Sequence, residues 1–378
     1  MKGMRITKFE GYILLLLVWA LVSSAIQSRS VFGQPLIYGV LAQRNIMLSV
    51  SAIFLLYLLR RNRFTLHDIE HALVNLAWAC LAIFTLITLV FDPSQFADAG
   101  KGFVGGGNVG EASFKFNAAF IVFCFFYYMF SGFWRRNTRQ VLMAMPFLLF
   151  LILVEGGRSL LLSVFGSLVF FVYRWSSFGR IIRMTPKLLF VSLLLFAALL
   201  LFKQDYLVHL GMKFGDAINV VLTGEKTADA SANARIVETL ITMPYIAEHW
   251  AFGNGDLSNQ WKGGFESRFG HFYPSDIGII GTFFLFGIIG VLLFSIQFMF
   301  AVRYANRLPK NGGEHSALVS AAKGFLLYHA THSLVTGKFV HFVEIGLLFI
   351  AILYWAALTA KITNAAVSTN SFSKGAAQ

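Results

Sequence analysis

The stretch Ile277 to Ala301, IGIIGTFFLFGIIGVLLFSIQFMFA, runs for 25 residues without a charged side chain. A helix rises about 1.5 Å per residue and a bilayer core is about 30 Å thick, so this run is long enough to cross a membrane. Directly before it stands a polar cluster, Glu266-Ser-Arg268-Phe-Gly-His271-Phe-Tyr-Pro274-Ser-Asp276. The junction at residues 276–277 is therefore a point where polar chain enters an apolar phase.

Working outward, the same pattern recurs. Hydrophobic residues make up 57 % of the 378 positions and charged residues 13 %, with a mean hydropathy of +0.68. That is too little charge to solvate a globule of this size, and the chain reads as an all-α polytopic membrane helix bundle. Windows of about 20 apolar residues predict ten transmembrane helices, at 11–26, 41–59, 71–91, 116–133, 140–154, 159–175, 188–202, 277–301, 316–335 and 339–360. The chain then divides into an N-terminal membrane bundle of about seven helices (1–202), a polar, partly helical loop (203–276), and about three C-terminal helices with a tail (277–378).

A net charge of +13 would suggest nucleic acid in a soluble protein, but the basic residues alternate by loop. Lys2, Arg5 and Lys8, then Arg60, Arg61 and Arg63, then Arg135, Arg136 and Arg139, then Arg174 to Lys187, then Arg303, Arg307 and Lys310 fall on one side. The positive-inside rule makes that side cytoplasmic, with both termini inside and the long loop extracytoplasmic. The placement expected is the bacterial inner membrane, with the lipid bilayer as partner and no nucleic acid. The basic start with small residues at Ser23–Ala25 has the look of a signal peptide, but the alternation works with the first helix retained.

Cys80 and Cys124 fall within predicted spans, and no Cys/His cluster at metal-ligand spacing, nucleotide-binding glycine motif or Asp-x-Asp pair is found, so a site without metal or cofactor is expected. The Gly102–Asn108 run lacks a phosphate signature and reads as a flexible lid or linker. Between Arg139 and Arg174 there is little room for two spans and a turn, so Glu155-Gly-Gly-Arg158 is expected at or below the outer interface. An arginine at that depth is costly unless paired or lining a water-filled cavity, and its fork of donors suits an anionic headgroup. A local Glu155–Arg158 pair is the plainer reading.

Within the long loop, Ile236, Val237, Leu240, Ile241 and Met243 have amphipathic helical spacing, expected to lie along the membrane bundle and to be cut by Pro244. In the last two spans Lys323, His329, His332, His341 and Glu344 are polar, and a His332–Glu344 pair is expected. Each has a structural reading beside the functional one. Arg235 and Arg268 also suit a solvated loop, and Asp276 after Pro274-Ser275 suits a helix N-terminus.

Three pieces occur in order: Gly157-Arg158-Ser159 opening an apolar helix; Arg235 followed by Glu248-His249-Trp250-Ala-Phe-Gly253-Asn-Gly255; and Gly287-Ile-Ile-Gly290 after re-entry. In this order and topology they resemble the bacterial O-antigen polymerase/ligase family, with its Wzy-type polymerases and WaaL-type ligases. Tryptophan stands in place of the family's proline at 250, and Asp276-Ile277 stands where the ligases carry His-Asn.

The resemblance implies metal-independent glycosyl transfer: undecaprenyl-diphosphate-linked oligosaccharide repeat units would be polymerised at the outer face of the membrane, as O-antigen or exopolysaccharide. Possible partners are a chain-length regulator and other polysaccharide-assembly proteins. Arginines stabilise a leaving diphosphate without a metal, which points to Arg158, Arg235 and Arg268. A base for the acceptor hydroxyl is sought at Asp276, then His271 and Glu248. The alternatives are an O-antigen ligase acting on lipid A core, a lipid or polysaccharide transporter, and a non-catalytic scaffold.

Overall fold

The computed structural model describes residues 6–96, 104–106, 112–114, 116–135, 137–175, 208, 211–212, 215, 230–270, 272–308 and 316–375. Between its turns and loops the described chain is helical, with one antiparallel strand pair, β1 (Val104–Gly106) with β2 (Ala112–Phe114), in the register Val104↔Phe114. Part of the glycine-rich run expected to be a linker thus forms a strand.

Five helical stretches are long and apolar enough to cross a membrane: Lys8–Phe32, Leu66–Val90, Thr138–Glu155, Pro274–Arg307 and Val343–Lys361. The chain is accordingly a membrane protein, and the described residues hold five such spans, or six if Leu36–Ala42 and Arg44–Arg60 are one span bent by 55°. Ten spans are not recovered among the described residues. The 41–59 window breaks at Gln43, the 116–133 window is a short apolar helix, Ala119–Phe133, and 188–202 lies outside the described residues. Windows 159–175 and 316–335 are helical but are not among the five.

The chain divides into two compact units, Met1–His71 with Ile241–Gln378, and Ala72–Leu240. The first is built on α1 (Lys8–Phe32), α2 (Leu36–Ala42), α3 (Val50–Arg60) and the C-terminal helices. α1 begins with a capping box, in which the Thr7 hydroxyl accepts from Glu10 N at 3.3 Å and the Glu10 carboxylate accepts from Thr7 N at 2.8 Å. Two of the four orphan donors of the helix start are thereby satisfied. Glu10 is buried and its other oxygen accepts from Arg60 Nη1 at 2.7 Å, joining the start of α1 to the end of α3.

α4 (Leu66–Val90) leads into the second unit, which holds α5 (Ala119–Arg135), α6 (Thr138–Met143), α7 (Met145–Phe150) and α8 (Arg158–Trp175). A π turn over Leu151–Glu155 and left-handed Gly156 separate α7 from α8. Aromatic rings form this core: Trp78 lies edge-on to Phe147 at 4.7 Å, and Phe130 stacks on Phe171 at 4.0 Å. Such pairs add about 0.5–1.5 kcal/mol each beyond the area they bury.

α9 (Ala230–Glu248) is a long helix within the polar loop. Pro244 does not end it: one missing N–H removes a single ladder bond, and the helix continues to Glu248. Its polar Glu238 and Thr242 are buried, while of the apolar stripe Val237, Leu240 and Met243 are exposed and Ile236 and Ile241 half-buried. The chain continues through α10 (Gly264–Phe269), a 3-10 turn at Pro274–Ile277, and then α11 (Gly278–Arg307), α12 (Ser316–Thr336), α13 (Lys338–His341) and α14 (Val343–Gly375). α11, α12 and α14 pack on one another, and α11 also packs on α1.

Candidate functional site

α11 is not continuous. Gly287 has φ 62° and ψ −171°, outside the helical range, and the ladder is interrupted there. Carbonyls before the break and N–H groups after it need partners, because an unsatisfied backbone group away from water costs several kcal/mol. The polar segment supplies them. Asn254 N donates to Phe284 O at 2.9 Å and Gly255 N to Leu285 O at 2.8 Å. In return Trp250 O accepts from Ile288 N at 2.9 Å and Ala251 O from Ile289 N at 3.3 Å. The Asn254 side chain adds a further bond from Nδ2 to Phe284 O at 2.9 Å.

This docking requires glycine on both sides. Gly253 has φ 76°, and a β-carbon there would overlap the backbone nitrogens of Phe286 and Gly287. A β-carbon on Gly287 would overlap Ala251 O and the nitrogen of Gly253. Two of the three pieces on which the family resemblance rests, Gly253-Asn-Gly255 and Gly287-Ile-Ile-Gly290, thus stand backbone against backbone. Trp250, in the family's proline position, is exposed and takes part through its carbonyl.

Past Gly255 the segment lies against α1 at Ser24–Ser28, so closely that a β-carbon on Gly255 would meet Ser24 O and Ser28 N. The small residues that resemble a cleavage site serve here as a packing face. Gln34, fully buried in the α1–α2 turn, holds the segment by both ends of its amide: Nε2 donates to Asp256 O at 2.9 Å and to Ser28 Oγ at 3.0 Å, and Oε1 accepts from Ser258 N at 2.9 Å. Gln43, at the bend between the two halves of the 41–59 window, donates to Asp256 Oδ2 at 2.8 Å. Asp256 N donates to Ser24 Oγ at 3.2 Å.

Asp256 is therefore a half-buried carboxyl ringed by neutral polar groups. Burial pushes its pKa up to about 7, with hydrogen bonds from Leu257 N and Gln43 pulling the other way. A carboxyl titrating near neutrality can both take and return a proton at physiological pH. Little in the sequence singles out Asp256. Its only local mark was the place directly after Gly253-Asn-Gly255, and the partners that define it lie more than 200 positions away.

Of the residues singled out from the sequence, Glu248, Arg268 and Asp276 belong to the first unit and Arg158 and Arg235 to the second. Asp276 is exposed on the 3-10 turn, where its Oδ1 accepts from Ser275 Oγ at 3.2 Å and its charge acts on His341. Glu248 is exposed at the end of α9, 3.8 Å from His249 Nε2. The Arg268 guanidinium lies 5.0 Å from the Phe32 ring and 6.0 Å from that of Phe269, a cation–π arrangement. No hydrogen bond or ion pair joins Glu248, Arg268 and Asp276 to one another among the described residues. Arg158 is the first residue of α8 and Arg235 lies in the first half of α9, both in the second unit and both partly buried. His271 lies outside the described residues.

Deeper in the helices, the expected His332–Glu344 pair is not formed. His332 Nδ1 is 3.2 Å from the Tyr328 hydroxyl, and the buried Glu344 Oε2 has no hydrogen-bond partner among the described residues. Gln297, fully buried, donates to Phe294 O at 2.9 Å and Phe339 O at 3.0 Å, tying α11 to α13. No protein-family model matches the chain, and no curated protein shows significant similarity to it.

Proposed function

We propose that this chain is a membrane glycosyltransferase that polymerises glycan repeat units carried on a lipid diphosphate, as in O-antigen or exopolysaccharide synthesis. The observation that carries the reading is the apposition of Gly253-Asn-Gly255 with Gly287-Ile-Ile-Gly290. These are separate pieces of the pattern that suggested the family, and they share one backbone junction in the fold. The polar segment is thereby a fixed wall against an apolar helix, with the Asp256 carboxyl beside the junction.

In this reading the Asp256 carboxylate takes the proton from the acceptor hydroxyl. The acceptor oxygen bonds to the anomeric carbon as the bond from that carbon to the phosphate oxygen breaks, and undecaprenyl diphosphate leaves with the electron pair. Asp256 takes the base role expected of Asp276, His271 or Glu248, because it is the carboxyl of this group held by the fold with a proton affinity suited to neutral pH. Arg268, in the same unit as Asp256, is the proposed contact for the diphosphate, whose developing charge a guanidinium stabilises without a metal; Arg158 and Arg235 belong to the other unit.

The experiment is reconstitution of the purified chain in vesicles with lipid-linked repeat units, comparing wild type with Asp256→Asn. Chain extension that falls roughly 10²–10⁴-fold in the variant supports the reading. Glycan transfer to lipid A core in place of extension makes the chain a ligase.

One observation favours a second reading. A discontinuous transmembrane helix is a recurrent element of transporter binding sites, and α11 is broken at Gly287. If lipid-linked substrate crosses the vesicle membrane and no longer glycan forms, the chain is a transporter.

A further inference from the structure

We propose that His67 and His71 form a chelating site for a divalent transition-metal ion of the zinc, nickel or copper class, on the exposed first turns of α4. The helix start is held in place by Thr65: its N–H and hydroxyl donate to Asp68 Oδ2 at 2.8 and 2.7 Å, and its hydroxyl oxygen accepts from Asp68 N at 3.2 Å. Residues four apart on a helix stand one above the other on the same face. His67 and His71 use that spacing to bring their Nε2 atoms to 3.1 Å, with ring centroids 4.3 Å apart and ring planes at 85°.

That separation suits a metal. Zinc-class ions bond imidazole nitrogen at about 2.0–2.1 Å, so two nitrogens 3.1 Å apart subtend about 98° at a shared ion. This lies between the right angle of square-planar or octahedral coordination and the roughly 109° of tetrahedral coordination. The cap and the helical spacing place both residues on one face before a metal arrives.

The proton inventory closes. Without metal, one Nε2–H donates to the lone pair of the other Nε2. Coordination uses both lone pairs, so the donating ring carries its proton on Nδ1 instead, and two neutral imidazoles bind the ion with no net proton release. The positive end of the helix dipole opposes a cation here, and the Asp68 carboxylate in the same turn offsets it. Among the described residues no group of three His, Cys, Asp or Glu side chains converges, so the protein supplies two ligands and leaves the other positions to water or to a carboxylate or phosphate of an incoming group. An ion held this way is exchangeable. The sequence signal is the His-x-x-x-His spacing at the head of a helix.

The test uses the full chain, purified on a tag without histidines, in detergent. Titration with Zn²⁺ or Ni²⁺ is expected to give one class of site with a roughly micromolar Kd. His67→Ala and His71→Ala should each weaken it about tenfold or more, and the double variant should abolish it. Cu²⁺ should show hyperfine coupling to two imidazole nitrogens in its EPR spectrum, reduced to one in each single variant. Both positions are exposed, so the metal-free unfolding temperature of the variants should match wild type, and Zn²⁺ should raise it in wild type alone. Wild-type affinity retained in the double variant, or no binding by the wild-type chain, overturns the proposal. Neither result bears on glycosyl transfer.

Discussion

Gly253 and Gly287 meet with no side chain between them, and the clash is reciprocal: a β-carbon on either would overlap the peptide nitrogen of the other. One belongs to the polar segment and the other to a membrane helix that gives up its own ladder at that point. Backbone groups freed by the break are taken up by the segment, so the two elements are parts of one structure and neither is complete alone.

Replacing either glycine with alanine should therefore destabilise the protein. Positive φ costs an alanine about 1–2 kcal/mol, and separating the two backbones sacrifices hydrogen bonds as well. Gly253→Ala and Gly287→Ala should each lose at least about 2 kcal/mol, read as a lower unfolding temperature in detergent. Because both remove the same junction, the double variant should lose less than the sum. Additive losses would show that the two sites are independent.

Asp256 should make stability depend on pH. Its folded pKa is raised to about 7, above the ordinary aspartate range. A raised carboxyl binds its proton more tightly in the folded state, so the contribution is complete below about pH 4 and is lost as pH rises through 7. Asp256→Asn should therefore melt higher than wild type at pH 8, with the gap closing toward pH 4. The ceiling is about 4 kcal/mol, and half-burial reduces it. An equal gap at every pH would rule out ionisation as the cause.

Gln34 is the fastener of the segment. Gln34→Ala removes three hydrogen bonds and leaves Ser258 N and Asp256 O buried without them, a cost of roughly 2–3 kcal/mol. Faster amide exchange should follow at residues 253–258 while the helices keep their protection. Loss of protection throughout would mean that the whole unit depends on this side chain.

Glu10 and Arg60 should couple strongly. Glu10→Ala leaves the Arg60 guanidinium, only 20 % exposed, without its carboxylate and removes half of the capping box, together about 3 kcal/mol or more. Thr7→Ala should cost only about 1 kcal/mol, because the ion pair survives. Equal losses in the two variants would place the energy in the cap.

Some of this was legible beforehand. The uncharged run 277–301 identifies α11 because apolar length is a local quantity, and the glycine spacings at 253–255 and 287–290 mark both sides of the junction in the sequence. The 41–59 window carries a turn at Gln43, whose amide is directed to Asp256, and hydropathy does not register such a bend. The amphipathic stripe of α9 was found, but polar Glu238 and Thr242 are buried, and Pro244 is accommodated. Hydropathy periodicity locates a stripe without saying which side faces protein.

By itself the sequence determined that this is a helical membrane protein, because the gain from transferring apolar residues out of water accumulates residue by residue along a run. Tertiary structure alone decided which polar groups meet. Asp256 owes its partners to Gln34 and Gln43, 222 and 213 positions away, and a hydrogen bond depends on a fit of a few tenths of an ångström that no local pattern encodes.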